Sequence, residues 1–323
     1  MHVINKKRTD KRRTLGLLSA TAMAAMLPAW SSAKDKNVLR IGFQKYGTLT
    51  LLKARGMLET RLAQQGVDVK WTEFAAGPVL LEALNVGSID YGTVGEAPPI
   101  FAQAASADLV YVANEPPAPL AEAIIVPKGS TISSVAALKG KKIALNKGSN
   151  VHYLLLRALE NAGVAYADVQ TIFLPPADAR AAFERGSVDA WVIWDPFLAA
   201  AERQLGARIL ADGKGLVSNH QFFLAARPYA EKNPEVLRAV LEELAKVDAW
   251  GKQNPKEVAA LLSSQIGLEP AIVELATGRY AFGVQPITPE VLNEQQKIAD
   301  AFANLKLIPK KIKVHDAVLA TRS

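Results

Sequence analysis

The chain runs to 323 residues with no cysteine, 50% hydrophobic and 21% charged side chains, and a formal net charge of +7. That length and apolar content exclude a disordered chain, and the missing cysteine excludes a disulfide scaffold, a thiolate metal site and a cysteine nucleophile. The charge excludes little by itself until it is located. Lys6, Lys7, Arg8, Lys11, Arg12 and Arg13 against Asp10 put +5 into residues 1–33 and leave only +2 for the remainder, so nucleic-acid partners have no electrostatic support.

The first 33 residues read as an address. Behind the basic stretch lies an apolar run, Leu15–Leu27, of 13 residues. A helix crossing the roughly 30 Å hydrocarbon layer needs about 20 residues. Small residues at Ser31 and Ala33 then precede a cut ahead of Lys34, the order of a cleaved bacterial export signal. Arg12-Arg13 leaves the twin-arginine route open beside the general one. A chain without cysteine has no lipid anchor at the cut, and no later run reaches spanning length.

From there the elements alternate. Val38–Phe43 is a predicted strand, followed by a turn and a helical stretch near Leu51–Gln64. Val67–Phe74 is the next strand and ends at Ala75-Ala76-Gly77-Pro78, where a Pro in the first turn predicts a helix that closes at Gly87. A strand follows over Ile89–Val94, then Gly95-Glu96-Ala97-Pro98-Pro99 and a short helix from Ile100. Strand–helix alternation of this kind implies a largely parallel sheet covered on both faces. The order returns 99 residues later: Phe74–Pro98 aligned with Phe173–Phe197 gives five identities in 25 positions, at Phe74/Phe173, Ala83/Ala182, Gly87/Gly186, Ser88/Ser187 and Asp90/Asp189. Upstream, Ile41–Lys45 is similar to Ile143–Lys147, and each leads through a glycine into a helix.

Residues 216–323 change character. Asn233-Pro234-Glu235, Asn254-Pro255-Lys256-Glu257 and Thr288-Pro289-Glu290 each offer a capping side chain, a Pro at the first helical position and an acid in the first turn. Gln221–Ala226 before them reads as a buried strand. The expected organisation is therefore two α/β lobes joined by a two-strand hinge. Residues 1–33 are the export signal, 34–120 with 220–323 form the first lobe, and 121–219 form the second. The chain leaves the first lobe near Pro116–Ala123 and returns near Val217–Phe223.

The available chemistry is polar recognition. Glycine-containing turns stand at three expected helix starts, Ala75–Val79, Gly95–Ile100 and Lys147–Val151, and a helix N-terminus holds oxyanions through its free N–H groups without a buried cation. In the third turn Ser149 or Asn150 caps the helix and His152 falls near its mouth. Alternation puts Trp191 and Trp194 on opposite faces of one strand; Trp194, at the C-terminal end, is the expected pocket wall and Trp191 core packing. Glu96 and Asp195 pair through the repeat, and either backbone capping or a ligand hydroxyl or ammonium accounts for them as well as acid–base work does. The four histidines lack metal-ligand spacing, and no phosphate loop, nucleophile elbow or dinucleotide fingerprint occurs. No catalytic residue, metal or cofactor is expected.

Phe74–Pro78, Leu84–Asp90, Pro98–Ala105, Ala177–Phe183, Val188–Trp191 with Ile193–Pro196, Leu224–Asn233 and Leu307–Lys311 together resemble the aliphatic sulfonate-binding proteins of bacterial ABC importers. The resemblance covers roughly residues 38–315. It implies a type II periplasmic binding-protein fold, location in the periplasm, capture of alkanesulfonates for sulfur supply, delivery to an inner-membrane ABC permease, and a monomer. Carried over by position, it implies that Gln44, Gly77, Gly95 and Glu96 line the first-lobe side of the cleft. Ser149, Asn150, His152, Trp194 and Asp195 line the other side. A binder of taurine, nitrate or another small anion stays open as an alternative, with Glu96 and Asp195 then facing the ammonium of taurine. An enzyme on the same fold stands further off, because an aryl-sulfinate desulfinase needs the cysteine this chain lacks.

Overall fold

The computed structural model describes residues 37–319; the segment read as an export signal lies outside them. The first stretch carries β1 (Asn37–Phe43), α1 (Gly47–Arg55), α2 (Met57–Ala63), β2 (Val67–Glu73), α3 (Gly77–Asn85), β3 (Tyr91–Gly95), α4 (Pro98–Ala104) and β4 (Leu109–Asn114). The second carries β5 (Glu122–Val126), β6 (Lys142–Leu145), α5 (Asn150–Asn161), β7 (Gln170–Phe173), α6 (Pro176–Glu184), β8 (Ala190–Trp194), α7 (Phe197–Leu205) and β9 (Arg208–Asp212). The third carries β10 (Gln221–Ala226), α8 (Arg227–Lys232), α9 (Pro234–Gln253), α10 (Pro255–Ile266), α11 (Pro270–Thr277) and α12 (Pro289–Asn304).

Two five-stranded sheets result, ordered β2-β1-β3-β10-β4 and β7-β6-β8-β5-β9. Each is parallel apart from one strand, β10 in the first and β5 in the second, which runs antiparallel to both neighbours. Period-2 alternation divides each sheet between two cores. On β10, Phe223 and Ala225 face α1, α2, α9 and α10, while Phe222 and Leu224 face α3, α4 and α12. In the second sheet Ile124, Ile143 and Val192 pack on α5, and Ile125, Trp191 and Ile193 pack on α6 and α7. Trp191 is core, as its place on the strand predicts.

The repeat is a repeat of structure. Shifted by 99, α3 falls on α6 and β3 on β8 with no change of boundary. The identical positions explain themselves. Gly87 and Gly186 have φ of 72° and 67°, the left-handed region where glycine carries no Cβ penalty. Ser88 and Ser187 donate their N–H to Ala83 O and Ala182 O at 2.8 and 2.9 Å, closing the helix ends.

Two local expectations change. The helix expected near Leu51–Gln64 starts at Gly47 and is cut in two by Gly56, whose φ is 63°. Of the three Pro-marked helix starts, only Thr288 caps with its side chain, accepting from Val291 N at 3.3 Å. Asn233 and Asn254 turn their amides backwards and donate to Tyr229 O and Trp250 O at 3.1 and 2.8 Å, closing the preceding helix instead.

The chain passes between the sheets twice, at 115–121 and 213–220. The passes run side by side, joined by Ala118 N to Ser218 O at 3.1 Å and Gly213 N to Pro119 O at 3.0 Å. Further contact comes from α12, whose Phe302 packs with Tyr153 of α5, and from α11, whose Ile272 and Ala276 pack on Ala199 and Ala200 of α7. Among the described residues, no single helix is long and apolar enough to cross a membrane.

Candidate functional site

The strand ends of both sheets open on one cavity of about 570 Å³, counted to its mouth. C-terminal strand ends are where ligands of parallel α/β sheets gather. Gln44 after β1, Gly77 at the start of α3 and Gly95 at the end of β3 line one side; Ser149 and Asn150 at the start of α5, with Trp194 at the end of β8 and Asp195 after it, line the other. These seven of the nine expected residues meet in one place.

The backbone supplies the donors. Gly47, Gly77 and Asn150 are the first residues of α1, α3 and α5, and all three border the cavity. First-turn N–H groups have no intrahelical acceptor, and their partial positive charge adds along the helix. The Gly95–Ile100 turn contributes differently from expectation: α4 opens with Pro98-Pro99, which carry no N–H. There Gly95 serves close approach. A Cβ on it would fall 1.9 Å from the Asn150 side chain, which reaches across from the other sheet. The start of α1, marked in the sequence by its glycine but not counted among the donor turns, takes the place of α4 as a donor end.

Neutral side chains complete the wall. Asn150 Nδ2 donates to Asn219 Oδ1 at 2.5 Å, and Asn219 Nδ2 donates to Ala118 O at 2.9 Å, so the start of α5 is tied to both passing segments. Gln44 Nε2 donates to Thr93 O at 3.2 Å and to Tyr46 Oη at 3.3 Å, and Tyr46 donates to Gln221 Oε1 at 2.8 Å. Ser149 occupies the N-cap position, yet its hydroxyl donates to Asn146 O at 2.7 Å and caps nothing. Among the described residues, no lysine, arginine or histidine lines the cavity.

Two expected residues stand elsewhere. Glu96 follows Gly95 and so turns to the opposite side, behind the passing segments. Its Oε2 accepts from His220 N at 3.1 Å, its Oε1 has no hydrogen-bond partner among the described residues, and burial pushes the carboxyl up to about 8, with the backbone N–H groups of His220 and Asn219 pulling against it. His152 is fully buried among Phe101, Phe173 and Phe302. Its Nδ1 accepts from Gly148 N at 3.3 Å, which leaves the proton on Nε2, 2.9 Å from Tyr166 Oη. Burial and nearby Lys147 lower it to about 4. It is a neutral brace for the Gly148 turn. Sequence reasoning named the right loops in both cases and misjudged the direction of the side chain.

Asp195 touches the cavity but has its own partners. Oδ1 accepts from Ala199 N at 2.9 Å, and Arg279 Nη1 lies 3.3 Å from Oδ2. Arg279 also holds Glu202 at 2.6 Å. Burial pushes the Asp195 carboxyl up to about 7, with Arg279 and the Ala199 N–H pulling against it. Tyr46, Glu115, Asn219, Gln221 and Tyr280 also line the cavity and escaped the sequence reading. Gln221 had a signal, as the first residue of an expected strand returning toward the first sheet; Tyr280 had none.

The model of the NMT1-like family matches residues 32–263. The aliphatic sulfonates-binding protein of Escherichia coli (strain K12) is 46% identical over 305 residues, which is 94% of this chain and 93% of that protein. Among solved structures, the alkanesulfonate-binding protein SsuA from Xanthomonas axonopodis pv. citri, bound to MOPS, matches with a TM-score of 0.84 at 45% identity, covering 87% of this chain and 98% of that one. The periplasmic aliphatic sulphonate binding protein SsuA from Escherichia coli gives 0.80 at 47% identity, covering 88% and 92%.

Proposed function

The chain belongs to the NMT1-like family and, within it, to the aliphatic sulfonate-binding proteins, and from that premise we propose that it is the solute-capturing component of an ABC importer for alkanesulfonates. The observation that carries the reading is the meeting of three helix N-termini on one cavity whose wall, among the described residues, holds no cationic side chain. A sulfonate keeps one negative charge and three acceptor oxygens at any physiological pH. Neutral N–H donors match those oxygens while avoiding a deep ion pair, which would oppose release to a permease. Trp194, Pro98 and Ala121 provide an apolar flank for the alkyl tail. Gln44, Gly77, Gly95, Ser149 and Asn150 are the proposed ligand-facing residues, with Trp194 as wall and Asp195 as the support of α7.

The same reading places residues 1–33 as an export signal cleaved near Ala33, the mature protein in the periplasm as a monomer, the inner-membrane permease as its partner, and no chemical step. Glu115 and Asp195 at the wall favour one second reading, a sulfonate that also carries an ammonium. Titration calorimetry with alkanesulfonates of several chain lengths tests the proposal: saturable one-to-one binding is expected, and no heat from any of them overturns it.

A further inference from the structure

Thr48, at the second position of α1, has a single hydroxyl proton and two carboxylic acids around it. Its Oγ1 lies 2.6 Å from Glu115 Oε1 and 2.8 Å from Asp248 Oδ1. One proton cannot serve both contacts. A second must sit on one of the acids, so that one carboxyl donates to the hydroxyl and the hydroxyl donates to the other. The surroundings decide which. Asp248 Oδ2 accepts from Val284 N at 2.7 Å, and the Lys252 ammonium lies close enough to favour its anion. Glu115 has no such help: all three groups are buried, and Thr48 is its hydrogen-bond partner. The proton therefore sits on Glu115, which donates to Thr48, which donates to the Asp248 anion.

Of the two acids, Glu115 is the one that forms part of the cavity wall. We propose that Glu115 is a proton-dependent selectivity residue of the cleft. With its proton it is a neutral wall beside a plain alkanesulfonate; without it, it repels that ligand and favours a sulfonate carrying an ammonium. The proposal rests on the sulfonate-binding reading given above. Burial and Asp248 push Glu115 up to about 8, which puts the change within an accessible pH range. The other groups facing it are Tyr46 just before α1, Tyr91 on β3, Tyr280 after α11 and His220, whose Nδ1 is 2.8 Å from Glu115 O; Asp195, held by Arg279, lines the same cavity, and beyond Asp248 and Lys252 on α9 the buried acids Glu96 and Glu122 lie at the same junction. The three tyrosines are held above their ordinary value by burial and stay neutral throughout.

The test compares two ligands of equal length, 1-butanesulfonate and 3-aminopropanesulfonate, by calorimetry on the mature protein at pH 6.5 and pH 9. The affinity ratio is expected to shift toward the amino compound by about tenfold, the factor that one unit above a titration midpoint allows. Glu115→Gln should shrink that shift to the smaller change that Asp195, paired with Arg279, produces across the same pH range. Butanesulfonate binding at pH 9, measured in buffers of different ionisation enthalpy, should take up a proton in the wild type, a readout that needs no variant. A constant ratio in the wild type, or an equal shift in Glu115→Gln, overturns this proposal while the sulfonate reading stands. Binding of neither ligand at either pH overturns both.

Discussion

The two halves of the repeat share a frame and differ at its rim. In each, an aspartate staples the start of the central strand. Asp90 exchanges backbone and side-chain bonds with Arg40, N to O at 2.8 Å and Oδ2 from N at 2.8 Å. Asp189 does the same with Lys142 at 2.8 and 2.8 Å. At the next strand end the halves part. The first has Gly95-Glu96, an opening into which Asn150 fits and an acid turned away with no cation. The second has Trp194-Asp195, a wall and an acid held by Arg279. The difference teaches that turn chemistry constrains the frame, whereas the rim is set by what must fit between the halves.

The unequal treatment of the two rim acids gives the largest expected effect. Arg279→Ala leaves Asp195 buried with one N–H partner and should cost about 3 kcal/mol in denaturant unfolding. Glu96→Gln, which removes an acid that has no cation, should change stability by under about 1 kcal/mol at pH 6. Equal costs would break the comparison. Next comes the opening itself. Gly95→Val should push Asn150 off Asn219 and weaken alkanesulfonate binding about a hundredfold, or about 2.7 kcal/mol by calorimetry. Trp194→Ala at the matching position should cost only about tenfold, or about 1.4 kcal/mol.

The staples sharpen the shared part. Asp90 carries the Arg40 guanidinium at 2.6 and 2.9 Å as well as the backbone contact, and Asp189 carries only the latter. Asp90→Asn should therefore lower stability by about 2 kcal/mol and Asp189→Asn by about 1 kcal/mol. The last effect is a matter of pH. Glu96 holds its proton up to about 8 in the fold against 4.5 in the open chain. The native state thus binds more protons between those values. Its contribution is full below about pH 4.5, declines as pH rises, and is gone above about pH 8. Melting temperatures should show Glu96→Gln gaining on the wild type by about 2 °C or more between pH 5.5 and pH 8.5.

How far the sequence could be read follows the same division. Gly87, Ser88 and Asp90 act within a few residues of a helix end or on the strand beside it, so their repetition announced two similar sheets. The starts of α3 and α5 were legible for the same reason. The direction of Glu96 and His152 was not, because burial against His220 or Phe302 depends on chain more than a hundred residues away. Arg279 finds Asp195 across 84 positions, and Glu115 meets Asp248 only when α9 folds back over α1. No local pattern encodes such meetings.

The strand order also sets an order of assembly. Every strand of the second sheet lies between residues 122 and 212, so that sheet is complete as soon as this stretch is available. The first sheet has a gap between β3 and β4 that only β10 fills. A growing or unfurling chain short of residue 221 therefore holds a finished inner unit and an outer one with two unpaired edges. Those edges, open until the return pass arrives, are where sticking to other chains should begin.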